Sequence, residues 1–322
     1  MSTYKEINGI KVQSLSSDPP APFEGEVWYN TTSGTLKYYG VAESWATGGA
    51  LNTGRMGIGG AGTQTAGLGF GGYAPGFSNL TEEYNGSSWT AGGNLGTGRY
   101  NMGGAGTQTA GLGFGGYAPG DFTNKTEEYN GSAWTAGGTL GTGRTSLGGA
   151  GTQTAALGFG GSTGISSPLV ANTEEYDGSS WTAGGAMSTA RNRIGSCGTQ
   201  TAALAFGGSS PGTVADTEEY DGSSWTAGGA LGTARSSLAG AGLQTAGLAF
   251  GGIIPATGVD QAATEKYDGT SWTTVASLGT ARYRIAGCGA TNTAALAFGG
   301  RPPSAPTLTE EFGPASATLT VG

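Results

Sequence analysis

Residues 99–138 read RYNMGGAGTQTAGLGFGGYAPGDFTNKTEEYNGSAWTAGG: an Arg, a run of small residues ending in Phe-Gly-Gly, a Thr-Glu-Glu-Tyr step, an Asn-Gly pair and a Trp five residues after the Tyr. This pattern recurs six times. Its arginines fall at Arg55, Arg99, Arg144, Arg191, Arg235 and Arg282, and its tryptophans at Trp45, Trp89, Trp134, Trp181, Trp225 and Trp272. Both series step by 44, 45, 47, 44 and 47 residues. A repeat of this length is one supersecondary unit that cannot bury its apolar face alone, so the copies must stack on one another.

Within one copy, residues 102–106 and 110–116 read as two short strands of small residues around a polar turn. Residues 126–129 and 133–136 read as two more, joined by Asn130-Gly131. Asn-Gly and Asp-Gly between short strands are hairpin signals because both turn residues tolerate positive φ. The expected fold is all-β, a six-bladed β-propeller with four antiparallel strands per blade. Inner strands of Gly, Ala, Leu and Thr suit the crowding near a central axis, and Trp and Tyr fill the wedge between outer strands. A helical solenoid is excluded, because each helix-interior glycine costs about 1 kcal/mol.

Composition supports a packed body. The chain holds 67 glycines and 12 prolines without a Gly-X-Y period, and its 7 Trp, 13 Tyr and 10 Phe supply burial that a disordered glycine-rich chain lacks. A net charge of -8 argues against nucleic acid as a partner and against binding to anionic membranes. No apolar run reaches membrane-spanning length, and the N-terminus lacks a secretory core, so neither membrane insertion nor a leader is expected. The two cysteines, Cys197 and Cys288, occupy a position where other copies carry Ala61, Ala105, Ala150 or Ala241, and read as buried apolar residues.

The chemistry of catalysis is sparse. There is no histidine, which removes Ser-His and Cys-His pairs and most transition-metal sites. Adjacent glutamates on a strand point to opposite faces, so the repeated Glu-Glu step is not an acid/base pair. One glutamate of each pair is expected to meet a repeated arginine in a structural ring. Asp177-Gly178-Ser179-Ser180-Trp181 reads as a hairpin turn. Asp121, Asp216 and Asp260 lack the neighbouring carboxylates of a calcium loop. No cofactor, no metal and no enzymatic activity are expected.

The double glycine (Gly71-Gly72 and its counterparts), the Glu83-Tyr84 step and the following Trp89 resemble kelch repeats, a family whose fold is a β-propeller. The resemblance covers about residues 43–312 and departs from the pattern at Phe312, which replaces Tyr and has no Trp after it. Six blades then require the Trp45 strand to lie beside 309–312, with Ser316 to Val321 competing for that slot.

Residues 1–42 differ: they carry Lys5, Lys11 and Lys37, the DPPAP prolines and few glycines. Residues 26–30 and 35–39 read as a β-hairpin. EGEVWYNTTSGTLKYYG, residues 24–40, resembles a segment near the N-termini of tailed-bacteriophage tail-fibre and other virion appendage proteins. That resemblance implies attachment to other virion proteins through 1–42, with Trp28, Tyr29 and Tyr38 as the attachment residues. It also implies a homo-oligomer, a trimer favoured, located in the virion after synthesis in the host bacterial cytoplasm. Residues 43–322 are then the propeller.

All length variation lies between the double glycine and the Thr-Glu step, in loops of 8, 9, 11, 8, 11 and 8 residues. A second variable spot is the pair after each Arg. In an up-and-down blade both spots share one face, and binding residues gather on loops carried by a rigid scaffold. That face, with Tyr73, Phe77, Tyr100, Asn101, Tyr117, Phe122, Arg193, Tyr283, Arg284 and Arg301, is expected to meet a host-surface ligand, a glycan or a protein. The leading functional expectation is a non-enzymatic receptor-binding virion appendage. The alternatives are a structural capsid-decoration or tail protein and a cellular kelch-type interaction module.

Overall fold

A computed structural model describes residues 3–7, 10–23, 25–164, 168–301 and 307–320. Among the described residues there is no helix: the chain is all-β, built from repeated four-stranded antiparallel sheets of the kind that form propeller blades. Its contacts divide it into two units, Met1–Ser44 with Gly313–Gly322, and Trp45–Phe312. The strands Thr35–Thr47 and Thr309–Thr320 each carry residues of both, so residues 313–320 cluster with the N-terminal segment rather than with the repeats.

In the repeat unit each sheet is a meander. The second repeat runs Gly103–Gly106, Gly111–Phe114, Thr126–Tyr129 and Trp134–Ala136, every neighbour antiparallel. Four more sheets follow the same order. In the sixth repeat Ala286–Thr291 and Ala294–Phe298 are followed by residues 309–312, and residues 45–47 lie beside those. Residues 313–320 prolong that third strand, so Ser316 onward forms no fourth strand there; Val321 lies outside the described residues.

The innermost strands are Gly and Ala because backbones touch. A Cβ added to Gly149 would come 2.7 Å from the carbonyl oxygen of Gly104, and one on Gly240 would come 2.5 Å from that of Ser196. Further out, Phe and Trp interleave between repeats: Phe70 lies 4.9 Å from Trp134, Phe114 4.8 Å from Trp181 and Phe159 4.8 Å from Trp225. Aromatic pairs in this geometry contribute about 0.5–1.5 kcal/mol beyond their burial. Each tryptophan of the repeated series also donates its Nε1 to the threonine that opens Thr-Glu in another repeat, as Trp134 does to Thr81 and Trp181 to Thr126, both at 2.9 Å.

The six repeated arginines are fully buried and ion-paired. Arg55–Glu82, Arg99–Glu127, Arg144–Glu174, Arg191–Glu218, Arg235–Glu265 and Arg282–Glu310 stand at 2.6–3.0 Å. Both partners belong to the same repeat, and the glutamate's second oxygen accepts a backbone N–H in the segment preceding the arginine, such as Gly141 N–H on Glu174 at 2.7 Å. The other glutamate works between repeats: Tyr129 donates to Glu83, Tyr176 to Glu128 and Tyr220 to Glu175, each at 2.5 Å.

Three departures from the pattern fall on one contact. Repeat 5 has Lys266 where the tyrosine-accepting glutamate stands elsewhere and Val275 where a glycine lies under the tyrosine hydroxyl, and repeat 6 has Phe312 where the tyrosine stands. At the matching Gly228 an added Cβ would come 2.6 Å from the Tyr267 hydroxyl. Phe312→Tyr alone is expected to destabilise by about 1–3 kcal/mol, because it buries a hydroxyl without its acceptor and against Val275. Adding Lys266→Glu and Val275→Gly together should recover part of that loss. Urea unfolding of the single and combined variants reads the coupling, and additive effects would contradict it.

Burial, and then the bond to glutamate, push the hydroxyls of Tyr84, Tyr129, Tyr176, Tyr220 and Tyr267 up to about 12 from the ordinary 10.0. The unfolded chain therefore releases these protons first. Stability contributed by the five is full below pH 10 and is lost as pH rises through about 12. Urea midpoints should fall across that alkaline window in step with delayed tyrosinate absorbance; flat midpoints would refute the assignment.

In the N-terminal unit Val27–Asn30 pairs antiparallel with Thr35–Thr47, and Ile10–Leu15 runs parallel to Val27–Asn30. Asp18 holds the unit together: it accepts from Lys37 Nζ and Asn30 Nδ2 at 2.8 Å and from Trp28 Nε1 at 3.0 Å. The Lys37 bond foremost, then that from Asn30, lowers its carboxyl to about 2.

Candidate functional site

The two variable spots of each repeat are joined by backbone pairing. Met56 bridges Tyr73, Tyr100 bridges Tyr117, Thr145 bridges Ser162, Asn192 bridges Ser209, Ser236 bridges Ile253 and Tyr283 bridges Arg301. The first residue of each pair after Arg is thereby clamped to the residue after the double glycine. Four of the variable loops are small hairpins rather than irregular connections, including Tyr73–Ala74 with Gly76–Phe77 and Tyr117–Ala118 with Asp121–Phe122. Residues 165–167 and 302–306 of two other loops lie outside the described residues.

The second residue of the pair points the chain back. Asn101, Ser146, Arg193, Ser237 and Arg284 all have φ between 52 and 57°, and Gly57 has 61°. Non-glycine residues seldom hold this left-handed conformation, and where they do the surrounding structure enforces it. Hydrogen bonds enforce it here. Asn101 N–H donates to Gly57 O, Ser146 to Asn101, Arg193 to Ser146, Ser237 to Arg193, Arg284 to Ser237 and Gly57 to Arg284, all at 2.8–2.9 Å. The series returns to its start, and it consumes all six amides and carbonyls.

These six residues form the mouth of a common cavity of about 90 Å³. Beneath them lies a ring of aliphatic side chains, Ile58, Met102, Leu147, Ile194, Leu238 and Ile285, all buried. Arg193 is exposed and Arg284 half-buried. Although exposed at the mouth, the Arg193 guanidinium is partly stripped of water by the protein around it, and this desolvation first, then the Arg284 charge, push it down from its ordinary value. Arg284 Nη1 also reaches the Met56 sulfur at 4.0 Å.

Five of the expected aromatic residues meet. Tyr73 contacts Phe77 and Tyr100 at 6.0 and 5.4 Å between ring centroids, Phe77 contacts Tyr100 and Tyr117 at 5.7 and 5.6 Å, and Tyr117 contacts Tyr100 and Phe122 at 5.7 and 4.9 Å. This continuous strip spans repeats 1 and 2, with Tyr73 exposed. Such rings present flat apolar faces with polar hydroxyls at their edges, suited to stacking on a partner ring. In repeat 6 the Arg301 guanidinium stands 6.0 Å over the Tyr283 ring, a cation–π contact.

The arginines are not part of the strip: Arg193 and Arg284 line the mouth with Asn101, whose neighbour Tyr100 belongs to the strip. Gly57, Ser146 and Ser237 were not singled out in the sequence, although their register with Arg193 and Arg284 in the repeat placed them at the same position. In the N-terminal unit Trp28 is fully buried with its indole on Asp18, so its surface goes to internal packing. Tyr29 and Tyr38 are half-buried on the hairpin, Tyr29 opposite Leu36 and Tyr38 opposite Val27.

No protein-family model matches the chain, and no curated protein matches it.

Proposed function

We propose that residues 45–312 form a closed, six-bladed, kelch-like propeller, and that the protein is a non-enzymatic virion appendage that presents its variable face to a host-surface ligand. Three links between the first and last repeats support closure: Gly57 N–H on Arg284 O, the hydrogen bond from Tyr84 to Glu311, and Trp89 Nε1 on Thr309 at 2.9 Å. Trp45 completes the tryptophan series by donating to Thr264 at 2.9 Å. The virion location and the attachment of a trimer to other virion proteins through 1–42 rest on the likeness of residues 24–40 to tail-fibre segments.

The observation that carries the binding role is the aromatic strip. Rings of this size gathered on variable loops above an almost invariant scaffold fit recognition rather than stability. A host-surface glycan suits them by stacking, and no group on this face needs to break a bond.

Attachment of particles, or of the purified chain, to host cells tests the reading. The double variant Tyr73→Ala/Tyr100→Ala should fold normally and lose at least about tenfold in attachment, the order of one to two stacking contacts. Deleting residues 1–35 should separate particle incorporation from host binding. Unchanged attachment in the double variant would sink the binding role, and normal incorporation of the deletion would sink the anchoring role.

A further inference from the structure

We propose that the mouth of the common cavity is an oxyanion site, in which Arg193 and Arg284 hold a carboxylate, phosphate or sulfate group carried by the ligand. The proposal rests on the reading that this face meets a ligand, and it names the charge that ligand brings.

Charge placement is the first argument. In a chain of net charge -8, two guanidiniums stand at equivalent positions of repeats 4 and 6, on either side of Ser237. They are close enough for one to disfavour the charge on the other. No carboxylate lines the cavity among the described residues. The six arginines of the repeated series, by contrast, are each ion-paired to a glutamate of their own repeat. Two like charges gathered without a counter-ion are an arrangement that an incoming anion relieves.

Backbone cost is the second. Arg193 and Arg284 hold φ of 55 and 52°, a conformation that glycine adopts without strain and that Gly57 supplies at the same position of repeat 1. Strained positions of this kind gather at binding sites. The third argument is the donor inventory. All six backbone amides of the mouth are already bonded to neighbouring carbonyls, so an anion finds only side-chain donors: the two guanidinium forks, the Ser146 and Ser237 hydroxyls and the Asn101 amide. Guanidinium forks match two oxygens of a carboxylate or phosphate.

The full chain is titrated at low ionic strength with sodium phosphate, sodium sulfate and sodium glucuronate in separate calorimetric experiments. Saturable binding of at least one, at one per chain, is expected, and the anion preferred distinguishes an acidic sugar from a phosphorylated or sulfated one. Arg193→Gly and Arg284→Gly should each weaken it by at least about tenfold, the loss of one charged hydrogen-bonding partner. Both variants should melt at or above the wild-type temperature, because glycine relieves the backbone. Absence of saturable binding by all three anions, or binding unchanged in both variants, overturns the proposal. Host attachment that survives both variants but fails in Tyr73→Ala/Tyr100→Ala would retain the binding face and discard the oxyanion site.

Discussion

Arg144→Met is expected to lower the unfolding free energy by about 3–5 kcal/mol, the cost of removing one partner of a buried ion pair. The arginine is fully buried and serves four acceptors: Glu174 Oε1 at 2.8 Å, Asn172 O at 2.7 Å, Gly160 O at 3.1 Å and Gly158 O at 3.3 Å. Methionine fills the space but leaves the Glu174 carboxylate buried with only the Gly141 amide. Arg144→Lys should recover little, because an ammonium cannot reproduce the planar fork that reaches both the carboxylate and the carbonyls. The double variant Arg144→Met/Glu174→Leu separates charge from packing. Removing both charges should restore a large part of the loss, since the desolvation of the pair offsets most of its attraction. Equal instability of single and double variants would show that the carbonyl contacts, not the charge, dominate.

Trp45→Ala should cost about 3–5 kcal/mol, the range for deleting a large aromatic side chain from a packed site. Trp45 lies outside the segment bounded by the first and last repeated arginines, yet its ring packs 5.0 Å from Phe250 and 5.1 Å from Phe312. Its indole bond to Thr264 reproduces that of Trp181 to Thr126. Trp181→Ala, made within an unbroken run of repeats, is the control. If the first strand completes the ring, the two substitutions should cost about the same, and Trp45→Ala should also loosen the edge offered by residues 309–312. A Trp45→Ala loss below about 1 kcal/mol beside a full loss in Trp181→Ala would mean that the strand is an ornament on an open array.

The two glutamates of each Glu-Glu step differ in how far the sequence discloses their partners. The Arg–Glu pairs were legible, because an invariant cation and an invariant carboxylate in every copy have no other charge to meet. The partner of the second glutamate was not. Its bond runs from a tyrosine in the next repeat, and nothing along the chain specifies which neighbour faces which strand. Hence Phe312 read as an isolated departure, although Lys266 had changed at the position it would have bonded. Likewise the variable pair after each arginine could be placed on a face, but its left-handed second residue could not be foreseen: Asn, Ser and Arg occupy that conformation only because six interlocking hydrogen bonds hold them there. Trp28 is a related case, since an aromatic residue in a hairpin carries no local mark of the partly exposed Asp18 to which its indole donates.

The periodicity by itself determined the strand order within each sheet, the scaffold residues and the two places where the copies differ, because a side chain that must pack against its own copy cannot vary freely. Only the tertiary structure decided what those differences make together. Five aromatic rings from two repeats join into one strip, and two arginines 91 residues apart come to the mouth of one cavity. That convergence comes from the approach of the inner strands, which their glycines permit and which no separation along the chain encodes.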